Sequence, residues 1–426
     1  MVHNKCRILK KNSGWIIMYQ FIYYILFIPI FIYGLYFLIT GLFSFKKKQK
    51  TIKNHKPKYK LAVLVAARNE EKVIGGLVDS LNKQNYPKNL YDVFVIPNNC
   101  ADNTEKIAEE DGAEIFNCDI DVKSKGEVLE YVLSKLSSKN IYDAYIIFDA
   151  DNIVHPYFLK RMNDTLCDGY ELAQGFRDSK NPGDNWICGS YSLYYWGQNL
   201  FFNRSRMNLN ASASINGTGF MIKDSIIKEH GFHTITMTED IEFTAQCAIN
   251  NKKIAFVSDA VTYDEQPLTF KSSWKQRMRW TTGTYQCLFT YAKELFNGIF
   301  KNKSISCLDM LLFFMAPLVQ LIGSFVFLLL LIYNILGIKL YDIFAYLFAY
   351  NEIFFIITYA ISVLLGVLVV TFTNKSVRNT IMGILLFPFF LLTWIPINLI
   401  CLFRKTLNWE PIEHTRNVNL ESLIDE

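Results

Sequence analysis

Charge is scarce in this 426-residue chain: Asp, Glu, Lys and Arg make up only 19% of it, against roughly a quarter in ordinary soluble domains. Hydrophobic residues make up 51% and aromatic residues 15%, so the deficit points towards lipid. The nine cysteines stand singly and no C-x-x-C pair occurs. That spacing supports neither a zinc site nor a disulfide framework, and free thiols in a reducing compartment are the plain reading. The net charge is a modest +5, with lysines concentrated between Lys46 and Lys60. A nucleic-acid footprint needs basic residues spread over a polar surface, so no nucleic-acid partner is expected. The apolar segments also lack the internal symmetry expected of many transporters.

Long apolar runs are what the chain does have. Trp15 to Phe43 is uncharged and exceeds the ~20 residues that cross a bilayer. Lys10 and Lys11 precede it as in a signal peptide, but the run is too long and lacks a small-residue cleavage site. Lys46, Lys47, Lys48 and Lys50 follow it, and the positive-inside bias places the next segment in the cytosol. Leu308–Gly337, Ile343–Thr371 and Ile381–Phe403 read as further spans, with Pro317, Pro388 and Pro396 as points of kinking or splitting. Three spans would put the tail outside, while Arg404, Lys405 and Arg416 favour inside, so the span count stays open by one. The expected organisation is an anchor over 1–45, a cytosolic domain over 46–269 and an interfacial segment over 270–306. Membrane helices follow over 307–403 and a polar tail over 404–426. Such a chain is a multi-pass protein of the plasma membrane.

The soluble half reads as α/β. Leu61–Ala66, Val93–Ile96, Tyr145–Phe148 and Ile254–Val257 are short apolar runs of the kind that form buried parallel strands. Helical patterns over Glu71–Leu81 and Thr104–Asp111 alternate with them, which predicts a doubly wound, mostly parallel sheet. Ligands in such sheets sit beyond the carboxyl ends of the strands. The loop after the first strand carries Asn69, Glu70 and Glu71, and the one after the second begins Asn98-Asn99-Cys100. These suit a nucleoside, although Asn69 and Thr104 can equally cap helices. After the third strand come Asp149 and Asp151, hard oxygen ligands two residues apart that suit Mg²⁺ or Mn²⁺ held largely through substrate phosphates. Thr238-Glu239-Asp240 opens another helix, where acids favour the macrodipole. Alternatively, Asp240 is a general base. Phe270–Phe296 is amphipathic and contains Gln276-Arg277-Met278-Arg279-Trp280. Its arginines can meet a diphosphate bidentately and Trp280 can face a sugar, or the stretch is a membrane-surface anchor.

In this order the strings resemble family 2 glycosyltransferases of the GT-A fold, the group that includes cellulose, chitin and hyaluronan synthases, from Leu61 to Tyr291. The resemblance implies that Asp149 and Asp151 hold the metal and the donor diphosphate, and that Asp240, beside Glu239, is the base. It places Gln276, Arg279 and Trp280 beside the diphosphate and acceptor sugar, and Ala67, Asn69, Glu70 and Lys125-Gly126 on the donor. Gly217, Thr218 and Gly219 fall on the acceptor side. Asn98 stands where the family usually has Asp facing the donor base; an amide both donates and accepts. The strings from Asn98 to Thr104, Phe148 to Asn152, Ser179-Lys180-Asn181-Pro182 and Tyr263 to Pro267 further resemble an EpsO-like exopolysaccharide branch. The implied activity is inverting transfer from a nucleotide sugar, a UDP-sugar first, to a growing polysaccharide, with Arg277 and Arg279 steadying the leaving group. Single-sugar transfer to a lipid-linked acceptor is the alternative, and a catalytically dead scaffold is the rival from another class.

Overall fold

A computed structural model describes residues 2–46, 52–120, 122–335, 351–404, 414–416, 418 and 420–424. Its centre is one sheet of eight strands: β1 (Leu61–Ala67), β2 (Tyr91–Pro97), β3 (Glu114–Ile115), β4 (Ala144–Asp149), β5 (Ile153–Val154), β6 (Leu172–Ser179), β7 (Phe220–Lys223) and β8 (Ile254–Asp264). Their order is β3-β2-β1-β4-β7-β6-β8-β5. Strands β1 to β4 are parallel, with Leu61 opposite both Tyr91 and Ala144. β7 runs antiparallel between β4 and β6, β8 is parallel to β6, and β5 is antiparallel to β8.

The central strands are apolar on both faces because helices cover both. Leu61 to Val65 and Ala144 to Phe148 are completely buried, and each large apolar side chain contributes roughly 1.5–3 kcal/mol by leaving water. Helices Ile74–Asn82 and Lys125–Ser138 contribute Leu77, Val78, Leu129 and Val132 to that core. The first of these starts at Ile74 rather than Glu71, because the backbone of Glu70 and Glu71 bonds to the neighbouring loop instead.

Among the described residues three apolar segments are long enough to cross a membrane: Phe21–Phe45, Ile305–Leu329 and Val377–Phe403. The expected span Ile343–Thr371 begins outside the described residues; its remainder lies in the helix Asn351–Phe372. The last apolar segment is two helices, Val377–Leu392 and Trp394–Phe403. Pro396 lacks an N–H and its ring excludes the Leu392 carbonyl, so the helix ends there. Pro317 and Pro388 sit inside helices. Val377–Leu392 lies against the helix Trp186–Gly197 at a glycine-on-glycine crossing, where a Cβ on Gly383 would stand 2.5 Å from the Gly189 carbonyl carbon. A Gly383→Ala protein is expected to lose about 1–3 kcal/mol, read as a lower melting midpoint in detergent.

Candidate active site

The site assembles at the carboxyl ends of β1, β2 and β4, where two loops are stitched together. Asn69 adopts φ 57° and its Oδ1 accepts from Ala101 N at 2.8 Å. Thr104 Oγ1 accepts from Glu70 N at 2.8 Å, Asp102 accepts from Glu71 N at 3.1 Å, and Asn98 N donates to Ala67 O at 2.9 Å. Asn69 and Thr104 therefore bind one loop to the other; the helix caps fall on Val73 and Asn103, and neither makes a side-chain capping bond. Ala67, Asn69, Glu70 and Asn98 share one rim.

Lys125 is the first residue of its helix, capped by Ser124, and its ammonium joins three elements. It donates to Asp149 Oδ1 at 2.5 Å and to Gly217 O at 2.7 Å, and lies 3.4 Å from Glu239 Oε1. Gly126 allows this: a Cβ there would collide with Thr234 Oγ1, so only glycine lets the helix approach the loop leading to Glu239. Burial alone would push the Asp149 carboxyl up, but Lys125, Arg177 and Arg279 outweigh it and hold the group below its usual range. Thr218 Oγ1 accepts from Asp149 N at 3.0 Å and donates to the buried Asn152. The Gly217-Thr218-Gly219 turn, with φ +82° and +63° at its glycines, thus supports β4 from below.

Asp240 sits in the first turn of the helix Glu239–Ile249. The carboxylate of Glu242 holds the preceding loop, accepting from Thr236 N at 2.7 Å and from Tyr291 Oη at 2.7 Å. Burial, then Glu239, push Asp240 up to about 7. It lines a cavity of about 280 Å³ together with Trp280, Arg177, Tyr194, Gln320 and Trp394. Trp280, Tyr194 and Trp394 form a triangle of near-parallel rings whose centroids are 6.2–6.4 Å apart. Gly283 lets the helix that carries Trp280 pack closely on Thr238, two residues before Asp240, since a Cβ there would collide with Thr238 Oγ1.

Arg277 is a correction. Its side chain turns away from Asp149 into the break between the last apolar helices, donating to Thr393 Oγ1 at 2.6 Å and Phe390 O at 3.4 Å, with its guanidinium 4.4 Å from the Phe390 ring. Two residues along a helix turn a side chain by roughly 200°, so Arg277 and Arg279 cannot serve one ligand; Arg279 is the one that acts on Asp149. Arg277→Ala is expected to cost about 1–3 kcal/mol of stability with the donor KM unchanged, whereas Arg279→Ala raises that KM; melting curves and initial rates separate the two. Gln276 lies on another side again, in a cavity of about 190 Å³ with Glu265 and His414.

Two features escaped the sequence. Arg177 on β6 donates to Asp264 Oδ2 at 2.6 Å and Asn216 O at 2.6 Å, 4.0 Å above the Tyr195 ring. The tail returns to the rim: His414 Nδ1 lies 3.0 Å from Glu70 Oε2, its Nε2 is 4.0 Å from Asp151 Oδ2, and Arg416 N donates to Glu265 Oε2 at 3.0 Å. Burial opposes charge on His414, but Asp151 and Glu70 push its imidazole up to about 10. These partners lie 344 and 151 residues away in sequence, beyond any local pattern. Among the described residues no three His, Cys, Asp or Glu side chains close a metal cage. Asp149, with a third of its side chain exposed and Lys125 on one oxygen, and Asp151, buried and accepting from Glu265 N, are two hard carboxylates at the end of β4, and such oxygens suit a cation that takes its other ligands from a substrate.

A parallel half-sheet with carboxylates at its rim, extended by an antiparallel strand and a second βαβ-like half, defines a GT-A nucleotide-sugar-transferase fold. Residues 57–283 match the glycosyltransferase like family 2 model, more than half of the chain, and the protein belongs to that family. It is similar to the probable glycosyltransferase YdaM of Bacillus subtilis, 27% identical over 274 residues, which are 61% of this chain and 63% of that protein. It is also similar to the beta-monoglucosyldiacylglycerol synthase of Synechocystis sp., 23% identical over 55% of this chain and 50% of that one. A third relative is the poly-beta-1,6-N-acetyl-D-glucosamine synthase of Staphylococcus epidermidis, 22% identical over 62% of this chain and 66% of that one. The chain thus spans half to two-thirds of these relatives. The mannosyltransferase PcManGT from Pyrobaculum calidifontis, solved with GDP-Man and Mn²⁺, shares the fold with a TM-score of 0.55 at 15% identity, covering 86% of this chain and 97% of that one.

Proposed function

We propose that this protein is a membrane-embedded inverting glycosyltransferase that moves a sugar from a nucleotide donor to a hydroxyl presented at the membrane surface. One observation supports this most: Asp240 and Trp280 share a cavity, while Lys125 links Glu239, the neighbour of Asp240, to Asp149. The nucleoside rests on Ala67, Asn69, Glu70 and Asn98, and Arg279 meets the diphosphate. Asp149 and Asp151 are the residues to hold Mg²⁺ or Mn²⁺, which when bound offsets the negative charge of a departing diphosphate. Asp240 takes the proton of the acceptor hydroxyl as its oxygen bonds to the anomeric carbon and the bond to the diphosphate breaks on the opposite face. Lys125 keeps Asp149 and Glu239 in register, and Trp280 offers its face to the acceptor.

The cavity runs from Asp240 to Phe313, Ala316, Pro317 and Leu391 of the apolar helices. Apolar walls beyond an aromatic platform favour a lipid-linked acceptor, with its sugar or hydroxyl at Trp280 and its tail towards the bilayer. A growing polysaccharide is the second reading, supported by the aromatic stack and by the named synthase relatives. Radiolabelled UDP- and GDP-sugars offered to purified enzyme with Mn²⁺ and lipid extract test both: one labelled lipid supports single transfer, a ladder supports polymerisation, and no transfer from any donor refutes the reading.

The return of the tail to Glu70 and Glu265 supports a topology in which domain and tail face the cytosol. The chain then leaves through Ile305–Ile335, returns through Asn351–Phe372, and lays the broken Val377–Phe403 segment along the interface beside helices Trp186–Gly197 and Phe270–Lys301. A cysteine placed near residue 424 is expected to react with impermeant reagent from the same side as one on the exposed Lys135 face. Labelling from opposite sides would remove this topology.

A further inference from the structure

We propose that Lys180 is a second lysine for the donor's diphosphate, standing on the Asp151 side of the site; the proposal rests on the nucleotide-sugar reading above. Lys180 follows directly on β6, whose last residue Ser179 pairs with Asp264. Its backbone N donates to Asp264 O at 2.9 Å, and the next residue of that neighbouring segment, Glu265, donates its N to Asp151 Oδ2 at 3.1 Å. The two bonds fix Lys180 beside the second aspartate of the rim.

The residue is 6% exposed, yet among the described residues the Nζ has no hydrogen-bond acceptor. An ammonium carries three donors, and burying them unanswered is costly. Burial pulls the ammonium below its ordinary range, while Asp151, Glu265, Asp264 and Glu70 pull the other way. Each of those carboxylates already has a partner. Asp264 accepts from Arg177, Glu265 from the Thr415 and Arg416 backbone, Glu70 faces His414, and Asp151 takes the Glu265 N–H. The following residue is satisfied too, since Asn181 pairs with the backbone of Gln266 through both ends of its amide. Lys180 is therefore a buried cation of this rim whose donors the described residues leave open.

Lys125 makes the contrast. Its ammonium is used up by Asp149, Gly217 O and Glu239, so it positions carboxylates. The unanswered donors of Lys180 fit a ligand with several anionic oxygens arriving at Asp151, and the phosphates of the donor are that ligand. With Lys180 on one side and Arg279 on the other, the leaving diphosphate meets positive charge from both.

The test is titration calorimetry on the full chain in detergent with Mn²⁺, comparing Lys180→Met and Lys180→Arg with the unmodified protein. The probes are UDP, GDP and the corresponding nucleosides. Lys180→Met is expected to weaken nucleoside diphosphate binding about ten- to a hundredfold, the worth of a charged hydrogen bond. Nucleoside binding stays unchanged and Lys180→Arg regains most of the loss. Because the ammonium has no internal partner among the described residues, Lys180→Met is also expected to melt no lower than the unmodified protein. Unchanged diphosphate affinity, an equal loss for nucleoside and diphosphate, or a Lys180→Met protein that fails to fold would each overturn the proposal. An unmodified protein that binds no nucleoside diphosphate overturns instead the reading on which it rests.

Discussion

Asp240→Asn is expected to lower kcat by about 10²–10⁴, the worth of a positioned general base, while leaving donor KM and metal dependence nearly unchanged. The amide keeps the size and polarity of the carboxylate but takes no proton. Because burial and Glu239 push Asp240 up to about 7, the profile of kcat/KM against pH has a defined sign. The base is active deprotonated, so the rate rises about tenfold per pH unit below 7 and levels above it; the Asp240→Asn protein loses that limb. Stability runs the other way. The folded protein holds the Asp240 proton more tightly than the unfolded chain, whose aspartates release it near pH ~4. The contribution is complete below that pH and fades as pH rises through about 7. An Asp240→Asn enzyme with full rate and an unaltered profile would falsify the assignment.

Asp149→Asn is expected to cost several kcal/mol of stabilisation of the departing charge, about a thousandfold in rate, but with a different signature. Donor KM rises, the Mn²⁺ concentration needed for half-maximal rate rises with it, and the alkaline plateau survives in the residual activity. The reason lies in the contacts. Asp149 is joined to Lys125 and backed by Thr218, and among the described residues it makes no bond to the helix that carries Asp240. Initial rates over a grid of Mn²⁺ and donor concentrations check this. Equal losses from the Asp149→Asn and Asp240→Asn proteins, with donor KM constant in both, would mean that Asp149 does not hold the cation.

The parallel half of the sheet was legible because β1, β2 and β4 are buried on both faces and so read as unbroken apolar runs. β7 was not: Phe220–Lys223 is four residues long, follows a glycine turn and owes its place to pairing with β4 and β6 residues that lie tens of positions away in sequence. β6 carries Gln174, Arg177 and Asp178, all buried, because partners in distant segments satisfy them. Its polar sequence hides a central strand.

The site divides along the same line. Asp149 and Asp151 stood out because they stand at the end of a strand the sequence marks, Glu239 and Asp240 because they open a helix behind Thr238, and Trp280 because it ends the Gln276-Arg277-Met278-Arg279-Trp280 string. Which side of the helix Phe270–Lys301 faces the donor was not marked, and Arg277 was misplaced because both faces of that helix carry arginine while only packing selects one. Arg177 and His414 are held by contacts with residues tens to hundreds of positions away, and Lys180 is placed by the backbone bond to Asp264.

Local sequence determined the strand cores, the turn glycines and the acidic rim, since those depend on burial and backbone freedom that neighbouring residues dictate. Tertiary structure alone decided the antiparallel strand, the turning of Arg277 towards Thr393, the cavity joining Asp240 to the apolar helices and the return of the tail. Each of these follows from how charges and helices meet across space, where a buried polar group takes whatever partner the fold brings within reach.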